Sequence, residues 1–544
     1  MKAEMSIGGG VGVFKGLVGV FLGLVLFSFV HTAFAEEGGV VPIQIGSVLV
    51  TGNTLIGTEE IQKAIALLLP SEVSGEGISS LVKFADAVTS LYHAKGYFLA
   101  QAYLPEQEIA AGVLNVTVME GVLGEIAISG NAAYPASFIE KHFTKGEKGV
   151  SHHSFERSLL ILNDYMDLKT TGIFQPGSVL GKTDLSVTVK DARPLHYVFE
   201  YNNFGSKLVS RHRFDAGVDV GNLLRYGSLL SARTMIGSPL SNATYGRVMY
   251  GIPVDFNGTR VNVRYGSGDF DIGKQLAVLD ITMRTSGLGV SVGHPLIKTR
   301  LKTLTGEVGL DMQDFRQTFG TIPVGTSGRI KEDRLRVLYV GLDYDKQVER
   351  GRNMVRVMVR QGLGELLGGM RDGFPDASRA GADGGFLKGG LEVARFQRVT
   401  DKISLIMRGE GQAGSDTLVV GEQFSLGGPD SVRGYAVGEF LSDNGYRLNL
   451  EMRLSPIADK GLMQAVFFVD SGVGVLRRVS VGEVREGSLT GAGFGVRAHK
   501  DYLEGSKKGP IGVDFRADVG FPLEDGPVAV KSGAVFYLQA LVRY

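Results

Sequence analysis

From residue 194 to the C-terminal Tyr544, apolar and polar side chains alternate with a period of two along most of the chain. In the segments Arg213–Val220, Tyr446–Leu454 and Ile511–Val519, one set of alternate side chains is apolar and the other is largely polar or charged. Successive side chains of a strand point to opposite faces, so each segment predicts a strand with one apolar and one polar face. Strands of about ten residues with this pattern are typical of a membrane barrel with a wet interior, whereas a soluble sandwich buries its apolar faces.

The alternating segments number about sixteen, which predicts a transmembrane antiparallel β-barrel over residues 194–544. An even number of strands returns the C-terminus to the side from which the chain enters, the periplasm for an outer-membrane barrel. Connections after odd-numbered strands then lie on the outer side. The strands are expected to begin near residues 195, 210, 227, 243, 258, 281, 302, 334, 353, 387, 402, 446, 464, 490, 511 and 534.

Residues 1–35 carry the three parts of a secretory signal peptide. Lys2 and Lys15 precede the apolar run Gly16–Val30, and Ala33-Phe34-Ala35 follows as an A-x-A cleavage site. An uncleaved anchor helix is the alternative, but the apolar run is short for a membrane span. We therefore expect cleavage after Ala35.

Between the signal peptide and the barrel, one order of predicted elements occurs twice, over residues 36–121 and 122–193. Val50-Thr51-Gly52-Asn53 is matched by Ile128-Ser129-Gly130-Asn131, and each ends a short strand with a Gly-Asn turn. Two helices and two strands follow in each copy, which gives β-α-α-β-β twice. The predicted elements are helices Thr58–Leu68, Leu81–Tyr92, Ala136–Phe143 and Phe155–Tyr165 and strands Phe98–Tyr103, Leu114–Met119, Gly172–Pro176 and Asp184–Lys190, with Gly96 and Gly172 expected to end the longer helices.

This α+β order resembles two POTRA domains, the periplasmic modules of barrel-type translocases. The resemblance implies a small sheet covered on one face by two helices, with an edge strand able to pair with an extended chain. Two roles remain open for these units. They either recruit a partner polypeptide by strand addition or serve only as spacers.

The connection between the eleventh and twelfth predicted strands, residues 413–445, is far longer than a hairpin needs. It contains Val432-Arg433-Gly434-Tyr435, and strand parity places its start on the outer side. The thirteenth strand contains Phe468-Val469-Asp470-Ser471-Gly472, in which Asp470 lies on the face opposite Phe467 and Val469. We expect Asp470 to point into the lumen. A lumen carboxylate favours a guanidinium, so Arg433 and Asp470 are predicted to meet there, with the connection folded inward rather than over the mouth.

These two motifs are similar to a motif pair of POTRA-plus-barrel transporters, and the resemblance covers residues 41–544. It implies an inward-folded sixth extracellular loop that Arg433 latches to Asp470. Two POTRA units resemble the two-partner secretion transporters, the haemolysin activation/secretion family, whereas barrel-assembly insertases usually carry more. Val432, Gly434 and Tyr435 would complete the loop motif, and Phe468 and Gly472 the strand motif.

The last predicted strand carries Phe536 and ends at Tyr544, as expected of a barrel whose C-terminal strand is a signal for the barrel-assembly machinery. Some relatives place a plug helix before the first POTRA domain. Only residues 36–40 precede the first predicted strand here, so no such helix is expected.

The resemblance implies a transporter in the outer-membrane lipid that moves a large secreted exoprotein, recognised through its N-terminal secretion domain, from the periplasm to the cell surface. An assembly or insertion factor of the same superfamily is one alternative, and a passive porin is another. A porin would not need the periplasmic repeats. The sequence does not identify the partner.

Composition and local motifs argue against other classes. The charges balance at 57 Lys+Arg and 57 Asp+Glu, so no nucleic-acid partner is expected, and the lack of Cys excludes disulfides and thiolate metal sites. We predict no catalytic residue and no cofactor. No metal is expected, since the adjacent His152 and His153 should point to different faces. Asp343 and Asp345 share one strand face, which favours lumen charges over paired acid–base catalysis.

A glycine repeat, Gly491, Gly493 and Gly495, has period two within a predicted strand. A phosphate-binding loop would instead follow a strand and open a helix. The repeat therefore predicts close packing against bulky or aromatic neighbours.

Overall fold

The computed structural model contains two small α+β units followed by a β-barrel. The predicted signal peptide and residues 36–40 lie outside the described residues. Among the helices that are described, none is long and apolar enough to cross a membrane. The structure describes residues 43–544 except 70, 74–77, 110, 144–150, 180, 192, 240–241, 274–276, 278, 321–329, 456–461, 481, 503–510 and 528–532.

Within the described residues, the first α+β unit consists of β1 (Ile43–Ile45), β2 (Ser47–Thr51), α1 (Thr58–Ala66), β3 (Ser71–Val73), α2 (Ile78–Ala94), β4 (Gln101–Tyr103) and β5 (Val113–Met119). Its sheet has the order β2-β5-β4, with β2 parallel and β4 antiparallel to β5. Alternate side chains of β5 are buried because the helices pack on that face; Leu114 and Val116 share one apolar core with Phe84 and Val88 of α2.

The second unit repeats this arrangement with β6 (Val122–Ser129), α3 (Ala136–Glu140), α4 (His152–Asn163), β7 (Leu168–Pro176) and β8 (Lys182–Asp191). Its sheet has the order β6-β8-β7, with β6 parallel and β7 antiparallel to β8. A separate core forms around Leu162, Leu185 and Val187. Each unit thus has its own core, and each sheet ends in two edge strands.

The prediction that Gly172 ends the second long helix is wrong. The helix ends at Asn163, and Gly172 lies inside β7, where a Cβ would approach the Phe155 ring to 2.7 Å. Leu168 and Thr170 are buried and begin the strand four residues before the predicted start. Polar Lys169 and Thr171 weaken the strand signal there.

Residues 195–543 contain sixteen barrel strands within the described part of the chain. Every neighbouring pair is antiparallel, and the last strand pairs with the first to close the cylinder. Each predicted strand start lies within four residues of the observed one, so the barrel prediction is confirmed. The barrel strands are β9 (Leu195–Asn202), β10 (His212–Gly221), β11 (Leu229–Ser238), β12 (Ala243–Pro253), β13 (Arg260–Ile272), β14 (Ile281–Lys298), β15 (Lys302–Phe319), β16 (Lys331–Val348), β17 (Gly351–Gly362), β18 (Leu387–Arg398), β19 (Ile403–Gly414), β22 (Asn444–Leu454), β23 (Met463–Val475), β24 (Glu486–Tyr502), β25 (Ile511–Pro522) and β26 (Val535–Arg543).

The two faces of the barrel differ as the alternation predicts. On β23, Phe467 and Val469 are exposed on the outside, whereas Phe468 and Asp470 are buried on the inside. Apolar side chains on the outer face suit lipid, and charged side chains need a wet or paired environment.

The second α+β unit contacts the periplasmic turns of the barrel closely. Asp167, which is buried, accepts hydrogen bonds from Tyr134 Oη at 2.7 Å and from Asn222 Nδ2, in the turn after β10, at 2.6 Å. Phe256, in the turn after β12, packs its ring 5.0 Å from that of His142. Polar and aromatic contacts therefore fix the second unit against the barrel.

Candidate latch in the barrel lumen

Residues 415–443 connect β19 to β22, and we call them the inward loop because they contact the inner wall of the barrel. Two short strands, β20 (Phe424–Leu426) and β21 (Phe440–Ser442), pair in its two legs. We call residues 415–426 the descending leg and residues 440–443 the returning leg. The chain bends after β20 at Gly427 and Gly428, whose φ values of 93° and 110° strongly favour glycine. Loop residues share a buried apolar core with Leu476 and Leu489, from beside β23 and within β24; the loop members are Phe424, Leu426, Val432, Tyr435 and Phe440.

Arg433 at the loop tip contacts Asp470 through three hydrogen bonds. The guanidinium donates from Nε at 2.6 Å and from Nη2 at 2.9 Å, and the backbone N–H donates at 3.1 Å. Its Nη1 also donates to Glu451 at 2.9 Å. The guanidinium carbon lies 3.4 Å from the centre of the Phe468 ring, which adds a cation–π contact. The structure therefore brings together Arg433 and Asp470, whose side-chain exposures are 5% and 0%.

These residues belong to a cluster of four arginines and four carboxylates, which we call the latch cluster. Arg497 bridges Asp518, at 2.5 Å, and Glu451, at 3.3 Å. Arg516 holds Asp518 at 2.9 Å and Asp430 of the inward loop at 2.9 Å. Opposite charges cancel across the cluster, so removing one partner leaves another unpaired. The members are Asp430, Arg433, Glu451, Arg453, Asp470, Arg497, Arg516 and Asp518.

The other motif residues of the loop fix the backbone on either side of Arg433. The N–H of Gly434 donates to Tyr537 Oη at 3.1 Å, and Tyr537 Oη donates to the carbonyl of Tyr435 at 2.9 Å. Tyr435 Oη contacts the carbonyls of Thr490 and Glu524, each at 2.8 Å. Gly434 has a φ of 102°, which an L side chain rarely adopts. Val432 is buried beside it.

Glycines on the inner wall make room for the loop. A Cβ at Gly491 would lie 1.9 Å from the Arg433 carbonyl oxygen, and one at Gly493 would lie 2.5 Å from the Phe468 ring. At Gly495 it would meet Asp518 Oδ1 at 2.0 Å. The prediction that these glycines allow close packing is confirmed.

Gly472, the last residue of the strand motif, also makes room for the inward loop. A Cβ there would approach Leu426 Cδ2, on the descending leg of the inward loop, to 2.6 Å. The strand motif thus provides a charge at Asp470, a ring at Phe468 and space at Gly472.

The C-terminal residues lie at the seam where the barrel closes. Only five register positions join β26 to β9, from Gln539 opposite Asn202 to Arg543 opposite Val198, fewer than join any other pair of neighbouring barrel strands in the described residues. Tyr544 extends the pairing by two backbone hydrogen bonds to Tyr197, at 2.8 and 2.9 Å. Its ring also stacks on that of Tyr197. Phe536 is exposed on the outer face.

Arg497, Arg516, Asp518 and Tyr537 were missed as site residues in the sequence. Alternation shows which face each occupies. Their partners depend on how the inward loop enters a curved wall, and no local pattern records this. A charged residue next to a glycine repeat on the neighbouring strand, such as Asp518 opposite Gly495, is the signal that was available.

The residues considered for catalysis or metal binding are arranged as follows. Asp343 pairs with Arg356 at 2.5 Å and Asp345 pairs with Arg352, both across β16 and β17. The expectation that His152 and His153 point to different faces is wrong. Their ligand nitrogens and a carboxylate oxygen of Glu156 lie within 4.8 Å of one another. Glu156 already pairs with Arg300, at 3.2 Å. Both histidines are exposed on the first turn of α4.

Two α+β units joined to a sixteen-strand barrel, with an arginine held in its lumen by an aspartate, define a POTRA-plus-barrel outer-membrane transporter. A family model described as haemolysin secretion/activation protein ShlB/FhaC/HecB matches residues 181–498, and a ShlB-type POTRA domain matches residues 43–121. The chain therefore belongs to the haemolysin secretion/activation family, the two-partner secretion transporters. Its barrel lies in the outer membrane, with its POTRA domains in the periplasm.

Curated relatives agree with this assignment, and a solved structure shares the fold. The heme/hemopexin transporter protein HuxB of Haemophilus influenzae is 23% identical over 82% of this chain and 78% of its own length. The outer membrane transporter CdiB of Escherichia coli is 26% identical over 85% of this chain and 77% of its own. A solved structure of CdiB from Escherichia coli shares the fold with a TM-score of 0.75 at 20% identity, covering 94% of this chain and 92% of that one.

Proposed function

We propose that this chain moves a large exoprotein, unfolded, from the periplasm through the barrel lumen to the cell surface. The observation that carries the proposal is the latch cluster. It holds a loop inside a barrel that has periplasmic modules at one end, which is an arrangement for controlled passage. A barrel of sixteen strands is wide enough for an aqueous channel unless something fills it.

The inward loop is the obstruction that this function requires. A cavity of about 650 Å³ lies between the loop and strands β9–β12, and another of about 560 Å³ lies on the side of β16–β19. Passage of an extended chain then requires the loop tip to leave or shift within the lumen. Arg433 and Asp470 act as the latch that sets how readily this happens.

The first test measures the loop as a plug. Deletion of Pro429–Asn444 should raise single-channel conductance of the purified transporter in planar bilayers, because the main obstruction is gone. A surface lid would leave the conductance unchanged. Equal conductance in a correctly inserted deletion variant would therefore decide against the plug.

The second test addresses the latch itself. Arg433→Ala should abolish secretion while the barrel remains inserted, since the buried carboxylates it contacts lose their partner at a cost of roughly 3–5 kcal/mol. Arg408→Ala is the matched control, because Arg408 faces the same lumen but lies outside the latch cluster. Loss of secretion in both variants would mean that any lumen arginine matters, and the latch role would be rejected.

The POTRA edges are assigned to partner capture by strand addition. The sheets end in β2, β4, β6 and β7, and β7 is the longest of these with nine residues. An extended segment can add to such an edge through backbone hydrogen bonds. A fragment of residues 41–190 has its own cores and is expected to fold alone.

Capture is tested by titrating this fragment with the secretion domain of the candidate partner encoded beside it. Strand addition should protect alternate amides of one edge strand from hydrogen exchange. No binding at high micromolar concentration would favour the spacer role.

Phe536 and Tyr544 are assigned to recognition by the barrel-assembly machinery. Phe536→Ala should slow membrane insertion in cells without changing the inserted protein. Phe521→Ala, on the outer face of β25, is the control; equal slowing in both would remove the assignment.

A further inference from the structure

A second buried ion pair holds the inward loop at the barrel rim, far from its tip. Arg379 Nη1 donates to Asp443 Oδ1 at 2.6 Å, and their side chains are 5% and 0% exposed. Asp443 directly precedes β22, whereas the Asp470 site is opposite Asn449. The five residue steps from Asn444 to Asn449 span about 17 Å along a strand. This rim pair is thus separate from the latch cluster.

The rim pair joins three outer connections. Arg379 belongs to the connection between β17 and β18, residues 363–386, which we call the rim loop. Asp443 Oδ1 also accepts the N–H of Leu418, on the descending leg of the inward loop, at 2.9 Å. Its Oδ2 accepts the N–H of Arg477, after β23, at 2.8 Å. Arg379 Nη2 donates to the carbonyl of Arg478 at 2.5 Å.

An apolar core lies beside the pair and places the rim loop over the descending leg. Met370, Ala377 and Phe386 of the rim loop are buried against Leu335 and Val337 of β16 and against Leu418 and Val419 of the inward loop. Backbone hydrogen bonds add to this, including one from the Asp383 N–H to the carbonyl of Thr417 at 3.1 Å. The rim loop therefore covers one leg and ties it to the other.

We propose that Arg379 and Asp443 form an outer clasp that keeps the two legs of the inward loop together and the mouth above them closed, independently of Arg433. The physical reason is the burial of both charges. Asp443 has its carboxylate satisfied only when Arg379, Leu418 and Arg477 are all in place, so releasing one connection leaves a buried charge with unmade hydrogen bonds. Arg379 is a positioning residue in this arrangement. Full opening then requires an event at the rim in addition to release of the tip.

Because the chain contains no cysteine, a single introduced cysteine can be labelled selectively. A single Thr417→Cys reporter lies on the descending leg at a buried position, and a membrane-impermeant maleimide on intact cells reports when that leg becomes exposed. Arg379→Ala should raise its labelling rate about tenfold or more, since labelling of a buried site follows local opening. Arg371→Ala, an exposed arginine on the same rim loop, should leave the rate unchanged.

Two further variants separate a clasp from general damage. A Ser291→Cys reporter, buried within β14, should stay unlabelled in the Arg379→Ala background. Arg433→Ala should leave labelling of Thr417→Cys low, because the rim is held separately from the tip.

The proposal is overturned if Arg379→Ala and Arg371→Ala give equal labelling, if Ser291→Cys is labelled as well, or if Arg433→Ala exposes Thr417→Cys to the same extent. Asp443→Asn, which removes the charge and keeps the shape, should reproduce the effect of Arg379→Ala. If neither clasp variant inserts while Arg371→Ala does, the pair is needed for folding and not for closing the mouth, and the proposal also fails.

Discussion

The guanidinium of Arg433 satisfies two carboxylates and one aromatic ring at once, and this explains why the tip residue is arginine. Its planar fork makes two parallel hydrogen bonds to Asp470, which a lysine ammonium cannot reproduce. Stacking on Phe468 uses the flat face of the same group. These contacts require the backbone to turn sharply directly after the arginine, at Gly434.

Gly434→Ala is expected to release the loop tip from the latch cluster. The φ of 102° is unfavourable for alanine, and the new Cβ would lie 2.7 Å from the backbone carbon of Phe521. The left-handed strain alone is about 1–2 kcal/mol. Trypsin cleavage after Arg433 in the purified transporter measures release. Gly482→Ala, at a φ of 88° with open space around it, is the control for strain alone. A Gly434→Ala tip that resists trypsin would contradict the packing argument.

Glu120 predicts a pH dependence in the first POTRA domain. Burial raises the pKa of its carboxyl, but hydrogen bonds from the Leu55 N–H, at 2.7 Å, and from Thr54 and Tyr92 outweigh burial and lower the pKa below the ordinary 4.5. A lowered folded pKa stabilises the domain above pH 4.5, and this contribution is lost as the pH falls through the folded value.

Glu120→Gln should therefore cost about 1–2 kcal/mol at pH 7 and flatten the loss of stability below pH 4.5. Urea unfolding of the 41–190 fragment between pH 7 and pH 3 checks both effects. The exposed Glu125→Gln is the control and should retain the wild-type pH dependence. An unchanged acid loss in Glu120→Gln would rule Glu120 out as its source.

At the scale of elements, β24 is built to accept the inward loop. Its alternate glycines face the lumen at positions where the neighbouring strands carry charges. Without side chains there, the backbone of the loop tip can contact the backbone of the wall. An alanine on this face meets groups that cannot move aside easily. At Gly493 these are the Phe468 ring and the carbonyl of Val519, the latter 2.0 Å from a built Cβ.

Gly493→Ala is expected to displace the Phe468 ring and weaken the latch, with a packing cost of about 1–3 kcal/mol. Gly389→Ala on β18 is the matched control, because a Cβ there meets nothing within 4 Å. Planar-bilayer recordings should show more frequent openings in Gly493→Ala and none beyond wild type in Gly389→Ala. Identical recordings for the two variants would show that the glycine wall does not position the loop.

The elements differ in how far the sequence alone predicts them. Lipid on one side and water on the other impose a period of two. The predicted starts of the barrel strands, such as β22, therefore lie within four residues of the observed starts. The Arg433 and Asp470 contact followed from a face assignment and a motif. The rim loop could not be predicted, since residues 363–386 have no period and Arg379 finds Asp443 only through tertiary packing. The prediction for Gly172 is wrong because a glycine after a helical pattern resembles a helix end, even where it lies within the next strand.

At the scale of the molecule, the proposed capture in the periplasm and passage through the lumen need a fixed relation between the second POTRA domain and the barrel. The contacts between them include Lys298 with Asp164 at 2.6 Å and Arg157 with the carbonyl of Pro295 at 2.5 Å. These lie at the periplasmic turns and are partly exposed. Asp167 is the buried residue among these contacts, and it bonds to both the second POTRA domain and the barrel.

Asp167→Asn should loosen the second POTRA domain from the barrel while leaving each folded. The amide keeps one acceptor, so either Tyr134 Oη or Asn222 Nδ2 loses its hydrogen bond, and the amide NH₂ would face a donor. Because the chain lacks cysteine, spin labels at Lys169→Cys and Glu349→Cys report the distance between β7 and the periplasmic turn after β16. The distance distribution should broaden in Asp167→Asn and remain narrow in Asp184→Asn, whose carboxylate bonds the Glu125 N–H within the second domain. Equal, narrow distributions in both would show that Asp167 does not hold the domain in place, and the fixed relation would then rest on the charged pairs at the turns.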